Sequence, residues 1–319
     1  MLCIQLEKND PYFCLAAEEY LLKNLQEDIF MLWQSHDTIV VGKHQNVLAE
    51  INYPFVQENN ITLARRISGG GTVFHDSGNV NFAYIKNVND TAEISFKKFT
   101  QPVVDALRKL GINAVNSGRN DLLVNDKKIS GNAEHVFKKR VLHHGTLLFN
   151  SDLSNLGQSI KVVPGRYTDK AVQSNRSIVT NIQPFLKNKI TTEEFRRFLL
   201  DVQLENEENS ICELNEKDNR AIQKLADEKF KTWAWNFGYS PKYSFQDETT
   251  WGEKTLKVSL DAEKGWIAEA SVSGDLFSVR KADLLNRKLP GKRHCFEDIS
   301  ELLNEVQPGI PDELVFAFF

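Results

Sequence analysis

One short segment of the sequence concentrates residue types that could bind an anion. Residues 65–79 read RRISGGGTVFHDSGN, with two arginines before three successive glycines and a His-Asp pair after them. Three adjacent glycines weaken a helix or a strand, because glycine loses the most backbone freedom on folding. A turn without side chains also lets backbone N–H groups converge on anionic oxygens and lets a ligand approach the main chain. The segment therefore predicts either a ligand-binding turn or a mobile one, and its charged flanks favour the first.

The side chains around the glycines fit neither of two common nucleotide-binding signatures, GxxxxGK[ST] and GxGxxG. Arg65 and Arg66 are predicted to lie in a strand, where alternation sends their side chains to opposite faces, so one of them could reach a ligand. Ser68 could donate a hydroxyl to that ligand. His75 and Asp76 either take part in the chemistry or form a hydrogen-bonded pair that fixes the loop.

A second set of polar residues follows the glycine segment. Lys127 and Lys128 are adjacent in a predicted strand, so only one of the two ammonium groups can enter a pocket; otherwise both are solvated. Asp121 could position Mg²⁺ or an amine, or it could cap a turn. His143 and His144 are expected on opposite faces of a strand, which argues against a shared metal, and the sequence offers no converging set of zinc ligands.

Hydrophobic periodicity and turn residues predict the elements that must position these side chains. Two amphipathic helices are expected, at 12–27 and at 95–110. The predicted strands are a hairpin of 29–33 with 38–42, single strands at 61–67, 79–86 and 143–149, and a hairpin over 121–130 that turns at Asn125-Asp126. Residues 151–182 are expected to be a loop, and Thr191 with Glu194 predicts a capping box at the start of a helix.

The pattern changes in the last quarter of the chain. The segment LKVSLDAEKGWIAEASVSGD alternates, turns at Lys264-Gly265 and alternates again, which predicts a hairpin. Two helical patterns follow, around 280–288 and 296–306. We therefore expect residues 245–319 to form a small, separate α+β domain.

The composition bounds the class of protein. A chain of 319 residues with 41% apolar and 26% charged residues is typical of an ordinary globular protein. The net charge of −4 argues against a nucleic-acid binder, and no apolar run reaches the length of a membrane span. The N-terminal residues lack a secretory pattern, and the four scattered cysteines favour reduced thiols in a cytoplasm. We expect neither nucleic acid nor membrane as a partner.

The pattern RRxSGGGxVxHDxGNxN, from Arg65 to Asn81, resembles the signature of the lipoate–protein ligase A family, within the biotin/lipoate ligase superfamily. Further segments resemble that family in the same order: GRNDLLV, KISGNA, HHGTLLFN, NRSIVTNI and WAWNFGYSPKYSF. The stretch TWGEKTLKVSLDAEKGWI resembles the accessory domain of the two-domain bacterial members. The resemblance covers essentially the whole chain. It implies an α+β fold, with a biotin/lipoate ligase-like catalytic domain of mixed β-sheets flanked by helices over 1–240 and a small α+β C-terminal accessory domain over 245–319.

The resemblance also implies an activity and its site. Family members join lipoate to ATP as lipoyl-AMP, release pyrophosphate, and pass the lipoyl group to one lysine of lipoyl domains of 2-oxoacid dehydrogenase E2 subunits or of glycine cleavage H protein. ATP and Mg²⁺ are implied, with lipoate as the substrate. Lys128 is implied as the catalytic residue that contacts the lipoate carboxylate and the α-phosphate. The implied nucleotide-binding residues are Arg66, Gly71, Thr72, Val73, Phe74 and Lys128, and the implied substrate-binding residues are Ser68, Gly69, Gly70, His75, Asp121 and His144. No metal ligand is assigned, although Asp121 is a candidate.

Some features depart from the family pattern or leave alternatives open. No cysteine occurs between Cys14 and Cys212, which argues against the covalent thioester used by related acyltransferases. His135 stands where a cationic residue is common in the family, so another cation would have to neutralise the phosphates there. Lys138, Lys139 or Arg140 could supply that charge, or these three residues could face an acidic acceptor domain. Residues 161–177, with Arg176, are expected to close over the adenylate as a lid. The alternatives are a lipoyltransferase that uses preformed lipoyl-AMP, a non-enzymatic carrier of lipoate or its adenylate, and a biotin ligase, whose alternating Gly-Arg pattern is missing.

The lipoyl tail needs an apolar slot, because its alkyl chain and dithiolane ring lose their water on binding. Trp33, Val40 and Phe82, from the N-terminal strands, could line such a slot or could be ordinary core residues.

Overall fold

The computed structural model describes residues 1–89, 94–118, 120–175 and 177–319. The chain divides into two compact units. The first unit comprises Met1–Lys43, Ile61–Gly157 and Ser174–Thr232, and the second comprises His44–Asn60, Gln158–Gln173 and Trp233–Phe319.

A mixed eight-stranded sheet forms the centre of the first unit. The strand Leu2–Gln5 is parallel to both of its neighbours, Ser210–Ile211 and Ile29–Trp33. All other neighbouring strands of this sheet are antiparallel. From edge to edge the strands are Ser210–Ile211, Leu2–Gln5, Ile29–Trp33, Asn79–Asn87, Arg140–Leu148, Lys127–Phe137, Asp121–Val124 and Val115–Asn116. Every residue of Arg140–Leu148 is buried, which is expected for a strand in the middle of a covered sheet.

Helices cover this sheet and share the apolar core with its strands. Phe96–Lys109 places Phe99, Val103 and Leu107 against the strands, and these residues recur at helical spacing. The longer helices of the first unit are Pro11–Asn24, Phe96–Lys109, Thr192–Leu204 and Glu216–Leu225, and the last continues into the π-helical turn Ala226–Phe230. The predictions of helices near 12–27 and 95–110 are confirmed, although the first helix ends three residues early.

A separate three-stranded sheet carries the glycine segment. Thr38–Val41 lies between Thr62–Arg65, to which it is parallel, and Val73–His75, to which it is antiparallel. The predicted hairpin of 29–33 with 38–42 is therefore wrong: the two strands exist, but they belong to different sheets. Both strands are buried along their whole length, so each needs partners on two sides, which a lone hairpin cannot give.

Local turn chemistry explains why other elements match their predictions. Asn125 and Asp126 both have positive φ, 49° and 60°, as a two-residue hairpin turn requires. The predicted hairpin over 121–130 is confirmed, as are the strands at 61–67, 79–86 and 143–149. The capping box of Thr191 with Glu194 is present in both directions. The prediction of an irregular 151–182 is partly wrong, because this stretch contains the helix Leu153–Ser159 and the strand Tyr167–Asp169.

The second unit contains a four-stranded antiparallel sheet. Its order is Tyr167–Asp169, Tyr243–Trp251, Lys254–Glu263 and Trp266–Gly274, and the predicted turn at Lys264-Gly265 is confirmed by positive φ at both residues. The helices of this unit are Val47–Glu50, Tyr53–Glu58, Trp233–Asn236, Val279–Lys288, Phe296–Val306 and Asp312–Val315. The boundary between residues 240 and 245 stays a prediction. Across the described ranges, no helix has the length and apolar character that crossing a bilayer needs.

Candidate active site

The buried side chain of Arg66 is hydrogen-bonded to the glycine loop. Its guanidinium donates to the Ser68 hydroxyl (3.0 Å) and to the carbonyl oxygens of Gly69 (2.7 Å), Gly71 (2.6 Å) and Val40 (3.1 Å). Burial lowers the pKa of Arg66 to about 10, so the side chain stays charged at neutral pH. The arginine therefore fixes the loop by charge-assisted hydrogen bonds to its main chain.

The three successive glycines have three different surroundings. Gly70 adopts φ +88°, a conformation that side chains other than glycine's rarely tolerate. A Cβ on Gly71 would lie 3.0 Å from the hydroxyl oxygen of Ser174, which accepts the N–H of Thr72 at 2.8 Å. A Cβ on Gly69 would meet nothing within 4 Å. The turn thus has a positive φ at Gly70 and a close contact at Gly71. The choice between a ligand-binding turn and a mobile one stays a prediction.

Lys128, rather than Lys127, has the partly buried side chain. Its ammonium pairs with Asp121 at 2.9 Å, and both side chains are about four-fifths buried, whereas Lys127 is exposed. Gly131 makes room for this ammonium, because a Cβ at that position would lie 3.0 Å from Lys128 Nζ. The strand that carries Lys128 also touches the glycine loop: the Cβ of Ala133 is 3.8 Å from where a Cβ on Gly70 would lie.

His144 lies in a buried chain of hydrogen bonds. Its Nε2 is 2.6 Å from Ser68 Oγ, and its Nδ1 is 2.7 Å from a carboxylate oxygen of Glu18. The other oxygen of Glu18 accepts the indole N–H of Trp33 at 3.1 Å. Sequence reasoning missed Glu18, although a signal existed: an acidic residue lies one helical turn after the buried Cys14 on the apolar face of Pro11–Asn24.

His143 points away from His144, as the alternation of a strand requires. Its Nδ1 is 2.9 Å from Glu134, its Nε2 is 3.3 Å from the amide oxygen of Asn132, and its ring stacks on Phe99. Burial lowers the pKa of His143. In the part of the chain that the structure describes, no three His, Cys, Asp or Glu side chains converge into a metal-binding group.

His75 and Asp76 bond to other groups rather than forming the predicted pair. Asp76 accepts the N–H of Gly78 at 2.9 Å and that of Asp152 at 2.6 Å, so it fixes the turn after the loop. His75 is buried, with its Nδ1 3.5 Å from the hydroxyl of Ser35, and desolvation lowers its pKa to about 3. The geometry of Asp76 agrees with the loop-fixing hypothesis. His75 is a buried, neutral residue at the end of the strand Val73–His75.

A cavity of about 840 Å³ opens beside the loop. The main chain of Gly69 and Gly70 forms part of its wall, and the polar residues Asn120, Asn132 and Glu134 form another part. Its size lies within the range of small-molecule sites. The glycine turn therefore borders an open volume that a ligand could fill.

Comparison with known proteins decides the family. Residues 10–203 match the model of the lipoyl protein ligase A/B catalytic domain, and residues 240–314 match that of the bacterial lipoate protein ligase C-terminus. Lipoate–protein ligase 1 of Staphylococcus aureus (strain Mu50) is 41% identical over 298 residues, which cover 93% of this chain and 91% of that relative. The chain belongs to the lipoate–protein ligase family.

Solved structures of ligases share the fold. A lipoate-protein ligase A bound with ATP matches with a TM-score of 0.63 and 26% identity, covering 75% of this chain and 98% of that one. A bi-partite lipoate protein ligase from Thermoplasma acidophilum, studied with its E2 lipoyl domain, matches with a TM-score of 0.64 and 27% identity, covering 75% and 96%. The predicted α+β ligase fold and the prediction of a ligase enzyme are confirmed.

This ligase differs from the expected pattern near His135. Burial and the nearby Lys43 lower the pKa of His135, so it supplies no cation at neutral pH. Arg140 does not replace it, because its guanidinium donates to the carbonyl oxygens of Leu25 and Glu27 at the end of the first helix. Lys43, whose backbone N–H donates to Ser68 O, and Lys23 are two cations whose charges act on His135.

Two sequence predictions about the ligase site stay open. Arg176 lies outside the described residues, and the closing of 161–177 as a lid stays a prediction. Trp33, Val40 and Phe82 are all buried, which suits both an apolar slot and an ordinary core.

Proposed function

We propose that this protein activates lipoate with ATP to lipoyl-AMP, releasing pyrophosphate, and then transfers the lipoyl group to a lysine of an acceptor protein. The observation that carries the proposal is the Lys128–Asp121 pair, which joins two neighbouring strands. The strand of Lys128 touches, at Ala133, the glycine turn beside an open cavity. In this proposal the ammonium group and the side-chain-free main chain of the turn serve one substrate pocket. Membership of the ligase family supports the choice of lipoate and ATP.

The chemistry explains why a lysine is needed. An oxygen of the lipoate carboxylate attacks the α-phosphorus, and the bond from that phosphorus to the bridging oxygen breaks as pyrophosphate leaves. Both reactants are anions, so a cation between them offsets their repulsion and stabilises the charge that develops on the phosphate oxygens. Lys128 is a compact point charge that can serve both oxyanions, and Asp121 holds it in place before they bind.

The glycine loop is proposed to bind the nucleotide. Arg66 turns the carbonyl oxygens of Gly69 and Gly71 towards itself and away from an incoming anion. The main chain of Gly71, Thr72, Val73 and Phe74 then lines the phosphates and the nucleoside. Ser68, Gly69, Gly70, His75, Asp121 and His144 are proposed to shape the substrate side of the same pocket.

Transfer is the second step. The neutral amine of the acceptor lysine attacks the lipoyl carbonyl carbon and forms an amide bond. The bond from that carbon to the phosphate oxygen breaks, AMP leaves with the bonding electrons, and the proton lost by the amine passes to water. A cysteine thioester is not part of this proposal, because Cys14 is fully buried and burial, with Glu18 and Asp10, raises the pKa of its thiol well above the usual value.

Mg²⁺ fits the residues present. In nucleotide sites Mg²⁺ is usually held by one or two carboxylates together with substrate phosphates. Asp121 offers one partly buried carboxylate next to Lys128, and this single ligand suits an ion shared with ATP. When bound, the ion would neutralise part of the charge on the phosphates.

The proposed acceptors are lipoyl domains of E2 subunits and glycine cleavage H protein. The first is supported by the T. acidophilum ligase, which was studied with its E2 lipoyl domain. We propose that the reaction takes place in the cytoplasm, where the four cysteines, all described and none disulfide-bonded, would stay reduced.

The decisive experiment follows both steps separately. The purified chain is incubated with lipoate, ATP and Mg²⁺, and pyrophosphate release and bound lipoyl-AMP are measured; an apo lipoyl domain is then added, and its mass is recorded. Pyrophosphate release followed by a one-lipoyl mass gain supports the proposal. Transfer from supplied lipoyl-AMP without pyrophosphate release would replace it with the lipoyltransferase alternative, and neither activity would reject both.

Lys128→Ala tests the residue that carries the proposal. We expect adenylation to fall by about 100-fold or more, because a preorganised cation at the reacting phosphate is lost. Lys127→Ala is the matched control, since Lys127 is the exposed neighbour, and it should keep nearly wild-type adenylation. Equal rates in the two variants would remove Lys128 from its proposed role.

A further inference from the structure

We propose that Glu18 is a positioning residue of this ligase: through His144 and Ser68 it sets the hydrogen-bonding state of Arg66, and thereby the shape of the glycine loop. The link to catalysis rests on the function proposed above, whereas the order of hydrogen bonds can be tested without it. Glu18 lies on the first helix, far in sequence from the residues that it would control.

The order of these hydrogen bonds follows from the carboxylate of Glu18. A carboxylate only accepts, so His144 Nδ1, 2.7 Å away, carries a proton. In the neutral imidazole Nε2 is then an acceptor, and it receives the hydroxyl proton of Ser68 at 2.6 Å. Ser68 Oγ in turn accepts from Arg66 Nε at 3.0 Å, and the same N–H lies 3.2 Å from the carbonyl oxygen of Gly69.

Burial makes this order costly to change. Glu18 is 1% exposed, Ser68 0%, Arg66 5% and His144 8%. Water therefore cannot readily replace a lost partner, and an unsatisfied buried donor or acceptor is expensive. A second donor, Trp33 Nε1, occupies the other oxygen of Glu18 and prevents the carboxylate from turning away.

The order of hydrogen bonds reaches the proposed nucleotide site through Arg66. While Nε is satisfied by Ser68, the terminal nitrogens remain available for the carbonyl oxygens of Gly69, Gly71 and Val40. If His144 carried its proton on Nε2, both His144 and Arg66 would donate to Ser68, whose own proton would lose its partner. Ser68 would have to turn its hydroxyl proton towards another acceptor, which would move the lone pair that receives the Arg66 Nε–H, and the guanidinium and the loop carbonyls bound to it would shift. We expect such a loop to bind ATP less well.

The imidazole proton can be observed directly. In ¹⁵N-histidine-labelled wild-type protein, with the His144 signals assigned by loss in His144→Gln, we expect the proton on Nδ1 and a free Nε2. Glu18→Gln should disturb this state. Both oxygens of Glu18 accept hydrogen bonds, one from Trp33 and one from His144, and glutamine replaces one of these oxygens by an NH₂ group that can only donate. Adding Trp33→Phe to Glu18→Gln removes one donor and should restore the Nδ1–H state. A wild-type His144 protonated on Nε2 would overturn the proposal, whether or not the protein is a ligase.

Kinetics test whether the order of hydrogen bonds matters for the reaction. We expect Glu18→Gln to lower kcat/KM for ATP in adenylation by about 10- to 100-fold, the size expected for losing a buried charge-assisted hydrogen bond. Glu19→Gln is the matched control: Glu19 is adjacent and buried, but its partners are Lys23 and Lys229, both 2.6 Å away. Equal kinetic losses in the two variants, with His144 unchanged in both spectra, would overturn the inference. An inactive wild type would instead reject the proposed function.

Discussion

His75 is a neutral imidazole at physiological pH, because burial and the nearby Arg66 lower its pKa to about 3. The unfolded chain would bind a proton near the ordinary histidine pKa of about 6.5, while the folded chain would not. The free energy of unfolding should therefore fall as the pH drops from about 6.5 towards 3. Between pH 7 and pH 5 this one residue accounts for about 2 kcal/mol at most.

His75→Asn tests this pH dependence. The variant should lose stability at pH 7 but should show a shallower decline towards pH 5, measured as the urea midpoint of unfolding. His36→Asn is the control, since His36 is exposed. A slope equal to that of the wild type in His75→Asn would mean that His75 is charged when folded.

Residue chemistry was predictable where a local rule was decisive. Strand alternation correctly separated Lys128 from Lys127, and it separated His143 from His144. The partners of these residues were not predictable, because Glu18 lies 126 positions before His144. No periodicity links two residues that meet only after the sheet has formed.

For the strands, too, the sequence predicted local features but not contacts between distant segments. The hairpin at Asn125-Asp126 was predictable because both turn residues favour positive φ. The strands at 29–33 and 38–42 have an equally strong strand pattern, but their neighbours come from distant segments, so a short connection suggested a hairpin that does not exist. Local signals showed which segments form strands, but neither the exact ends of the strands nor which strands pair.

Gly78→Ala tests how tightly two elements meet beyond the glycine loop. A Cβ at Gly78 would overlap the main chain of Asn150 and Ser151, which cannot yield as a flexible side chain would. We expect a loss of about 1–3 kcal/mol, the usual range for overpacking a core, measured by thermal unfolding. Gly157→Ala, where an added Cβ meets nothing within 4 Å, should be neutral or slightly stabilising. Equal stability in the two variants would contradict this packing.

At the scale of the whole molecule, the second unit draws on three parts of the chain. Its edge strand Tyr167–Asp169 pairs with Tyr243–Phe245, and Tyr53 accepts the N–H of Phe296. The proposed domain of 245–319 therefore shares its sheet and core with segments that precede residue 240. Sequence order alone could not show this, because His44–Asn60 and Gln158–Gln173 lie far along the chain from the elements with which they pack.

A fragment of residues 1–240 tests this dependence. Removing 241–319 takes away the sheet partner of Tyr167–Asp169, so hydrogen exchange there and in Tyr53–Glu58 should become much faster than in the whole chain. The strand Asn79–Asn87 of the first unit serves as the internal control. Unchanged protection of 167–169 in the fragment would show that these early segments hold their structure unaided.

Arg66 carries a consequence for how this sequence can vary. Its planar guanidinium reaches four acceptors, Ser68 Oγ and three carbonyl oxygens, from one rigid group. A lysine would keep the charge but has a single nitrogen on a flexible stem, so it cannot reach all four at once. Among descendants of this gene we therefore expect selection against lysine at position 66, because the loop depends on the geometry of the guanidinium as well as on its charge.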